Sequence, residues 1–134
     1  MGSHVGDIMT LSPQILVADD DDLNREVMEA FLMSENYGVH LAHDGQHTLR
    51  LTESLHPDLI LLDVNMPDMT GYEVCRILRE NPSTATIPIV IVTGYDTPQD
   101  RATGMAAGAN VFLPRPFSAT HLLKVVADLL KKDS

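Results

Sequence analysis

Basic residues are scarce in this sequence, and sulfur in thiol form is nearly absent. Nine Lys and Arg stand against nineteen Asp and Glu, for a formal net charge of −10. A field of that sign repels nucleic-acid phosphates and anionic lipid surfaces and favours cations and basic partners. Direct nucleic-acid binding and membrane association are therefore not expected. The single cysteine, Cys75, excludes an internal disulfide and suits a reducing cytoplasm, the expected location. No apolar run approaches the ~18 residues of a membrane span. No signal-peptide pattern, repeat, low-complexity tract or internal linker is present.

What is present fits one domain. The chain has 134 residues and is 44% hydrophobic. A chain of this size buries roughly two thirds of its unfolded surface in a single core. Residues 1–12, opening on MGSH, read as a tag-derived or disordered segment, and one domain is expected over 13–134.

Apolar runs and helix-period stripes alternate along that domain. ILVA (15–18) reads as a short buried strand, and Leu23, Val27, Ala30 and Phe31 recur at helical spacing after it. Asp21 or Asp22 is placed to cap that helix. YGVHLA (37–42) reads as a strand, followed by a weak helical stripe of Thr48, Leu51, Thr52 and Leu55. DLILL (58–62) is a third strand. Val74, Ile77 and Leu78 mark a helix that stops before NPST, where Pro82 turns its neighbour away from helix. IPIVIV (87–92) is a β-branched strand. Residues 98–107 make a weak helix, with Gly104 inside it and Gly108 near its end. ANVFL (109–113) is a fifth strand, and 118–132 form the final helix. Strands that are apolar throughout, alternating with helices, predict an α/β fold with a doubly wound parallel sheet. Ligands of such sheets sit at the carboxyl ends of the strands, near a topological switch point.

The residues at those ends carry chemistry. Asp19, Asp20, Asp21 and Asp22 follow strand 1, Asp63 follows strand 3, Thr93 and Gly94 follow strand 4, and Pro114, Arg115, Pro116 and Phe117 follow strand 5. The acids have two open readings: helix-capping, solvated side chains, or hard-oxygen ligands of a cation such as Mg²⁺. A carboxylate beside Mg²⁺ can attack phosphorus to give an acyl phosphate, a transfer that needs charge neutralisation and positioning.

ILVADDDD, LLDVNMPDMTGYE, IVIVTG and RPF, in this order and spacing, resemble the receiver domain of bacterial two-component response regulators. The match runs over about residues 14–131. The resemblance implies a five-stranded flavodoxin-like (βα)₅ sheet of order 2-1-3-4-5. It makes Asp63 the phosphoryl acceptor, and Asp19 and Asp20 the acidic pair for Mg²⁺. The backbone carbonyl of Asn65 joins Asp63 in completing the metal site. Thr93 matches the switch hydroxyl, Gly94 the small residue that leaves the acceptor accessible, and Phe112 the switch aromatic. It also implies a cis peptide at Arg115–Pro116. One position departs from the pattern, since the family has lysine where this chain has Arg115. Charge is kept, but a planar fork replaces a point charge. Arg115 can pair bidentately with phosphoryl oxygens or turn outward.

Three functions follow. The first is a signalling switch, not an enzyme in its own right. A histidine kinase or phosphotransfer protein phosphorylates it on Asp63 with Mg²⁺, in a self-catalysed reaction that reverses by self-catalysed hydrolysis. The second is a receiver-like interaction module in which Arg115 weakens or abolishes phosphorylation. The third is a phosphate-ester hydrolase, for which the length leaves little room. An output domain or a second copy is expected to meet the face made by the 98–107 and 118–132 helices. In the last helix, Leu122, Val125, Val126 and Leu129 should face the sheet, and Leu123, Ala127 and Leu130 form a second row. That row is either a wide core stripe or a contact surface. His40, His43 and His47 lack the spacing of a zinc site, and Cys75 is expected to be packed beside the Val74 stripe. Met66 and Pro67 are expected to shape their loop.

Overall fold

The computed structural model describes residues 12–132, so the expected N-terminal segment, but for Ser12, lies outside the described residues. Five strands alternate with five helices: β1 (Gln14–Ala18), α1 (Asp22–Met33), β2 (Gly38–Ala42), α2 (Gly45–Leu55), β3 (Leu59–Asp63), α3 (Gly71–Glu80), β4 (Ile89–Thr93), α4 (Pro98–Ala107), β5 (Val111–Pro114) and α5 (Ala119–Lys132). All pairings are parallel, in the order β2-β1-β3-β4-β5. This is the doubly wound, flavodoxin-like arrangement.

Successive side chains of a strand point to opposite faces. Leu16, Ala18, Ile60, Leu62, Ile89 and Ile91 meet α2, α3 and α4 on one face. Ile15, Val17, Leu59, Leu61, Val90 and Val92 meet α1 and α5 on the other. Both faces are dry, so the interior strands are apolar apart from one end residue each, Gln14 in β1, Asp63 in β3 and Thr93 in β4. Each fully buried Leu or Ile contributes about 1.5–3 kcal/mol. Among the described residues, no helix is long and apolar enough to cross a membrane.

Short polar side chains start the helices. The Asp21 carboxylate accepts from the Asn24 N–H and caps α1. Thr70 with Glu73, and Thr97 with Asp100, close reciprocal capping boxes on α3 and α4. Each cap contributes about 1 kcal/mol. Gly108 ends α4 at φ 107°, in the left-handed region open to glycine.

The structure departs from the sequence reading in several places, among them strands 3 and 5, which run over Leu59–Asp63 and Val111–Pro114. In α1 the core face is Met28 and Leu32, whereas Leu23, Val27 and Ala30 are exposed. The buried stripe lies one residue on from the expected one, and Phe31 of the expected set is partly buried against the core beside it. In α3 the partner of Val74 and Leu78 is Cys75, fully buried, while Ile77 is 42% exposed. The fourth strand starts at Ile89, since Pro88 has no N–H for the ladder. In α5, Leu123 and Leu130 pack against the core together with Val125 and Leu129, and Ala127 is exposed. The second row thus belongs mainly to a wide core stripe.

Candidate functional site

The sheet register decides which side chains meet. Ala18 pairs with Leu62, Asp63 with Val92, and Thr93 with Pro114. Asp19, Asp63, Thr93 and Arg115 therefore stand along one edge, at or just beyond the carboxyl ends of β1, β3, β4 and β5. The chain order reverses between β1 and β3, and Asp19 and Asp63 flank that switch point.

Asp19 is fully buried and Asp63 is 7% exposed, while Asp20 is open to solvent. One carboxylate oxygen from each of the three lies within 4.8 Å of the others, and among the described residues this is the one group placed to hold a metal ion. Asn65 lies exposed on the turn just after the strand. Asp21 and Asp22, the rest of the acidic run, turn away to serve α1.

Burial holds the Asp63 carboxyl well above its ordinary value, at about 6, and the neighbouring Asp19 charge adds to the rise. The guanidinium of Arg115 opposes both. It is a fork across the pocket: Nη1 donates to Asp63 Oδ1 at 3.2 Å and Nη2 to Asp19 Oδ2 at 2.5 Å. Asp63 Oδ2 accepts no hydrogen bond among the described residues and stays available. The Arg115 backbone N–H donates to the Thr93 carbonyl at 2.7 Å, which fixes where the fork starts. The Arg115–Pro116 peptide is cis.

Thr93 is buried at the end of β4, and its hydroxyl oxygen accepts from the Tyr95 N–H at 3.1 Å. A Cβ at Gly94 would meet nothing within 4 Å, so that side of the pocket is open. Phe112 is buried in the core, with the Arg101 guanidinium carbon 5.2 Å from its ring centroid. A Cβ at Gly104 would stand 3.2 Å from the Phe112 ring. The glycine that makes α4 a poor helix former in sequence thus lets α4 sit against Phe112. The pocket floor is close-packed too, since a Cβ at Gly71 would lie 2.2 Å from the Asp63 carbonyl oxygen. The N–H of Gly71 donates to the Val64 carbonyl there.

Other groups gather differently. His40 pairs with Gln14 while His43 and His47 face each other ring to ring, so the three histidines do not share a ligand centre. Met66 packs against the core beside the loop. Sequence reading missed Arg25, whose Nη1 donates to the Asp19 carbonyl and whose Nη2 pairs with Asp22. It also missed Asp68, whose carboxylate accepts from the Gly45 and Gln46 N–H groups and ties the loop after β3 to the start of α2. Those bonds hold the Asp68 carboxyl below its ordinary value. Asp68 carries no signal in sequence, because its partners are backbone groups brought near by the fold, whereas the i,i+3 spacing of Asp22 and Arg25 was a local signal for that pair. Beside the acid pocket, Leu23, Val27, Phe31, Pro116 and Phe117 line an apolar cleft of about 220 Å³.

A family model described as the response regulator receiver domain matches residues 15–127. The chain is 41% identical over 121 residues to response regulator PleD of Caulobacter vibrioides, covering 90% of this chain and 27% of that protein. It is 41% identical over 122 residues to response regulator MprA of Mycobacterium tuberculosis, covering 91% of this chain and 52% of that protein. The chain thus spans between about a quarter and a half of the length of these curated relatives. Among solved structures, it is similar to the receiver domain of sensor histidine kinase PA1611 from Pseudomonas aeruginosa PAO1, with a magnesium ion coordinated in the active site cleft. The TM-score is 0.84 at 31% identity, covering 90% of this chain and 98% of that one.

Proposed function

Because this chain belongs to the response regulator receiver domain family, we propose that it is switched by phosphorylation of Asp63. The donor is a phosphohistidine of a histidine kinase or phosphotransfer protein. The reading is carried by one observation: Asp63 has one oxygen held by Arg115 and the other open, on the edge where Asp19 and Asp20 converge. In the transfer, Asp63 Oδ2 forms the O–P bond as the N–P bond to the donor imidazole breaks, and the electron pair returns to the imidazole.

The donor set suits Mg²⁺, which takes hard oxygens and few carboxylates. Asp19, Asp20, Asp63 and the Asn65 carbonyl would hold it, and when bound it neutralises charge on the phosphoryl oxygens. The chain's own groups do the rest. Arg115 pairs with phosphoryl oxygens through its fork. The Thr93 hydroxyl turns from the Tyr95 N–H to donate to a phosphoryl oxygen. Phe112, one strand away and packed against α4, repacks with it. That repacking biases the face formed by α4, β5 and α5, where Tyr95 and Met105 are exposed. An output domain or a second copy is the proposed reader. The cleft beside α1 gives the phosphodonor an apolar contact next to the acceptor. Hydrolysis of the aspartyl phosphate is self-catalysed, and the domain works in the cytoplasm.

The inward course of Arg115 favours this reading over an interaction module indifferent to phosphate. The test is intact-mass analysis after treatment with acetyl phosphate and MgCl₂. Wild type is expected to gain a single base- and hydroxylamine-labile phosphoryl group that Asp63→Asn does not gain. Equal modification of the two, or none in wild type, overturns the proposal.

A further inference from the structure

Phe112 has no polar side-chain atom, so whatever reads the position of its ring must do so through the ring surface. Two residues of α4 meet that surface. Gly104 presses on the ring edge, where an added Cβ would stand 3.2 Å from Phe112 Cδ2 and 3.5 Å from the Tyr72 ring. Arg101, three residues earlier, lays its guanidinium over the ring face, with Cζ 5.2 Å from the centroid. A cation within about 6 Å of an aromatic centroid is attracted by the ring quadrupole. The guanidinium is also held from the other side, since its Nε donates to Asp96 Oδ1 at 2.6 Å. Gly104 and Ala107 are the buried residues of α4, so little apolar packing competes with these contacts in seating the helix.

Asp96 lies between β4 and α4, directly after Tyr95, whose N–H donates to the Thr93 hydroxyl at 3.1 Å. A contiguous set of contacts thus runs from Thr93 through Tyr95 and Asp96 to Arg101 and the ring of Phe112. We propose that Arg101 is a positioning residue of the switch: the Asp96–Arg101 ion pair clamps the β4–α4 loop onto the face of Phe112 and holds α4 in its resting place. The inference rests on the reading that phosphorylation of Asp63 draws the Thr93 hydroxyl away from Tyr95. Once that hydroxyl leaves the Tyr95 N–H, the loop carrying Asp96 loses its tie to β4, the ion pair loosens and the guanidinium leaves the ring. The ring is then free to repack, and α4 to move on its glycine seat. Both contacts are of the weak, half-exposed kind. A clamp opened by one phosphoryl group must be weak, because a ligand shifts an equilibrium only by its differential affinity for the two states.

Titration with beryllofluoride, a phosphoryl analogue, in the presence of MgCl₂ tests this, followed by nuclear magnetic resonance of the Gly104 amide. The proteins are wild type, Arg101→Gln, Asp96→Asn, Phe112→Leu and the double variant of Arg101→Gln with Phe112→Leu, with far-UV circular dichroism as a check of folding. Arg101→Gln and Asp96→Asn are each expected to bind beryllofluoride about two- to fivefold more tightly than wild type, the factor that one exposed cation–π contact supplies. In the Phe112→Leu background, Arg101→Gln is expected to change nothing, a coupling that loss of a surface charge alone would not produce. In wild type, the Arg101 Nε–H resonance should shift along the titration with the same midpoint as the Gly104 amide. Equal or weaker binding by folded Arg101→Gln or Asp96→Asn overturns the clamp and leaves the phosphorylation reading intact. So does an Arg101→Gln effect that persists undiminished without the Phe112 ring. An Arg101 resonance that stays in place while the site fills also overturns it, and this arm decides alone if the variants do not fold. If wild type takes up no beryllofluoride, the phosphorylation reading falls and the clamp with it.

Discussion

Two half-buried arginines sit at opposite edges of the sheet, and their partners differ in kind. Arg79, near the amino ends of β4 and β5, donates to the carbonyls of Gly108, Ala85 and Ile87 and to Asn110 Oδ1. Arg115, at the carboxyl ends, donates to Asp63 and Asp19. Carbonyls neither titrate nor bind phosphate, so no reaction at the acid pocket competes for the partners of Arg79. Carboxylates can gain a proton, a metal or a phosphoryl group, so the contacts of Arg115 are exchangeable. The fold uses the same side chain as a staple at one edge and as a counter-ion of buried acids at the other.

The largest expected effect breaks the staple. Arg79→Ala leaves part-buried carbonyls without their charged donor and should cost about 3 kcal/mol, since hydrogen bonds to charged groups contribute about 1.5–3 kcal/mol. Urea denaturation should give the same loss with and without MgCl₂, and a Mg²⁺-dependent loss would show that the two edges are coupled. Gly71→Ala should come next, at about 2–3 kcal/mol, because the added methyl overlaps backbone that has no room to move. The measured loss should again be insensitive to Mg²⁺.

Asp63→Asn should act in the opposite direction. The folded protein holds the Asp63 proton more tightly than the unfolded chain does, with about 6 against 3.8. Its contribution to stability is therefore full below about pH 4 and is lost as pH rises through 6. In metal-free buffer at pH 7, Asp63→Asn should be more stable than wild type by about 3 kcal/mol. That gain should vanish near pH 4, and a gain that holds at all pH values would deny the titration as its source. The smallest effect belongs to Thr70→Ala, which opens the capping box of α3 and should cost about 1 kcal/mol in the same assay.

The active edge was far more legible in sequence than the stapled one. Asp19, Asp63 and Thr93 each follow an apolar run directly, with Asp20 next to Asp19, and a parallel sheet must carry such residues to one side. The cis peptide before Pro116 came with the family resemblance. Arg79 left no trace in sequence, because three of its partners are backbone oxygens of any residue type and the fourth, Asn110 Oδ1, lies 31 residues away. The exposed Leu23, Val27 and Ile77 were not separable from core positions by period alone. A helical stripe gives spacing, and its phase depends on where the sheet ends beneath it.

The sequence by itself determined the alternation of strand and helix, the parallel sheet and the gathering of acids at strand ends. Those follow from local periodicity and from dry faces that demand apolar side chains throughout. Only the tertiary structure decided which cation meets which acid. Arg115 lies 52 residues from Asp63 and 96 from Asp19, and no local pattern encodes that approach. It depends on the order in which β5, β4, β3 and β1 lie side by side, and on a backbone hydrogen bond to Thr93 that aims the fork.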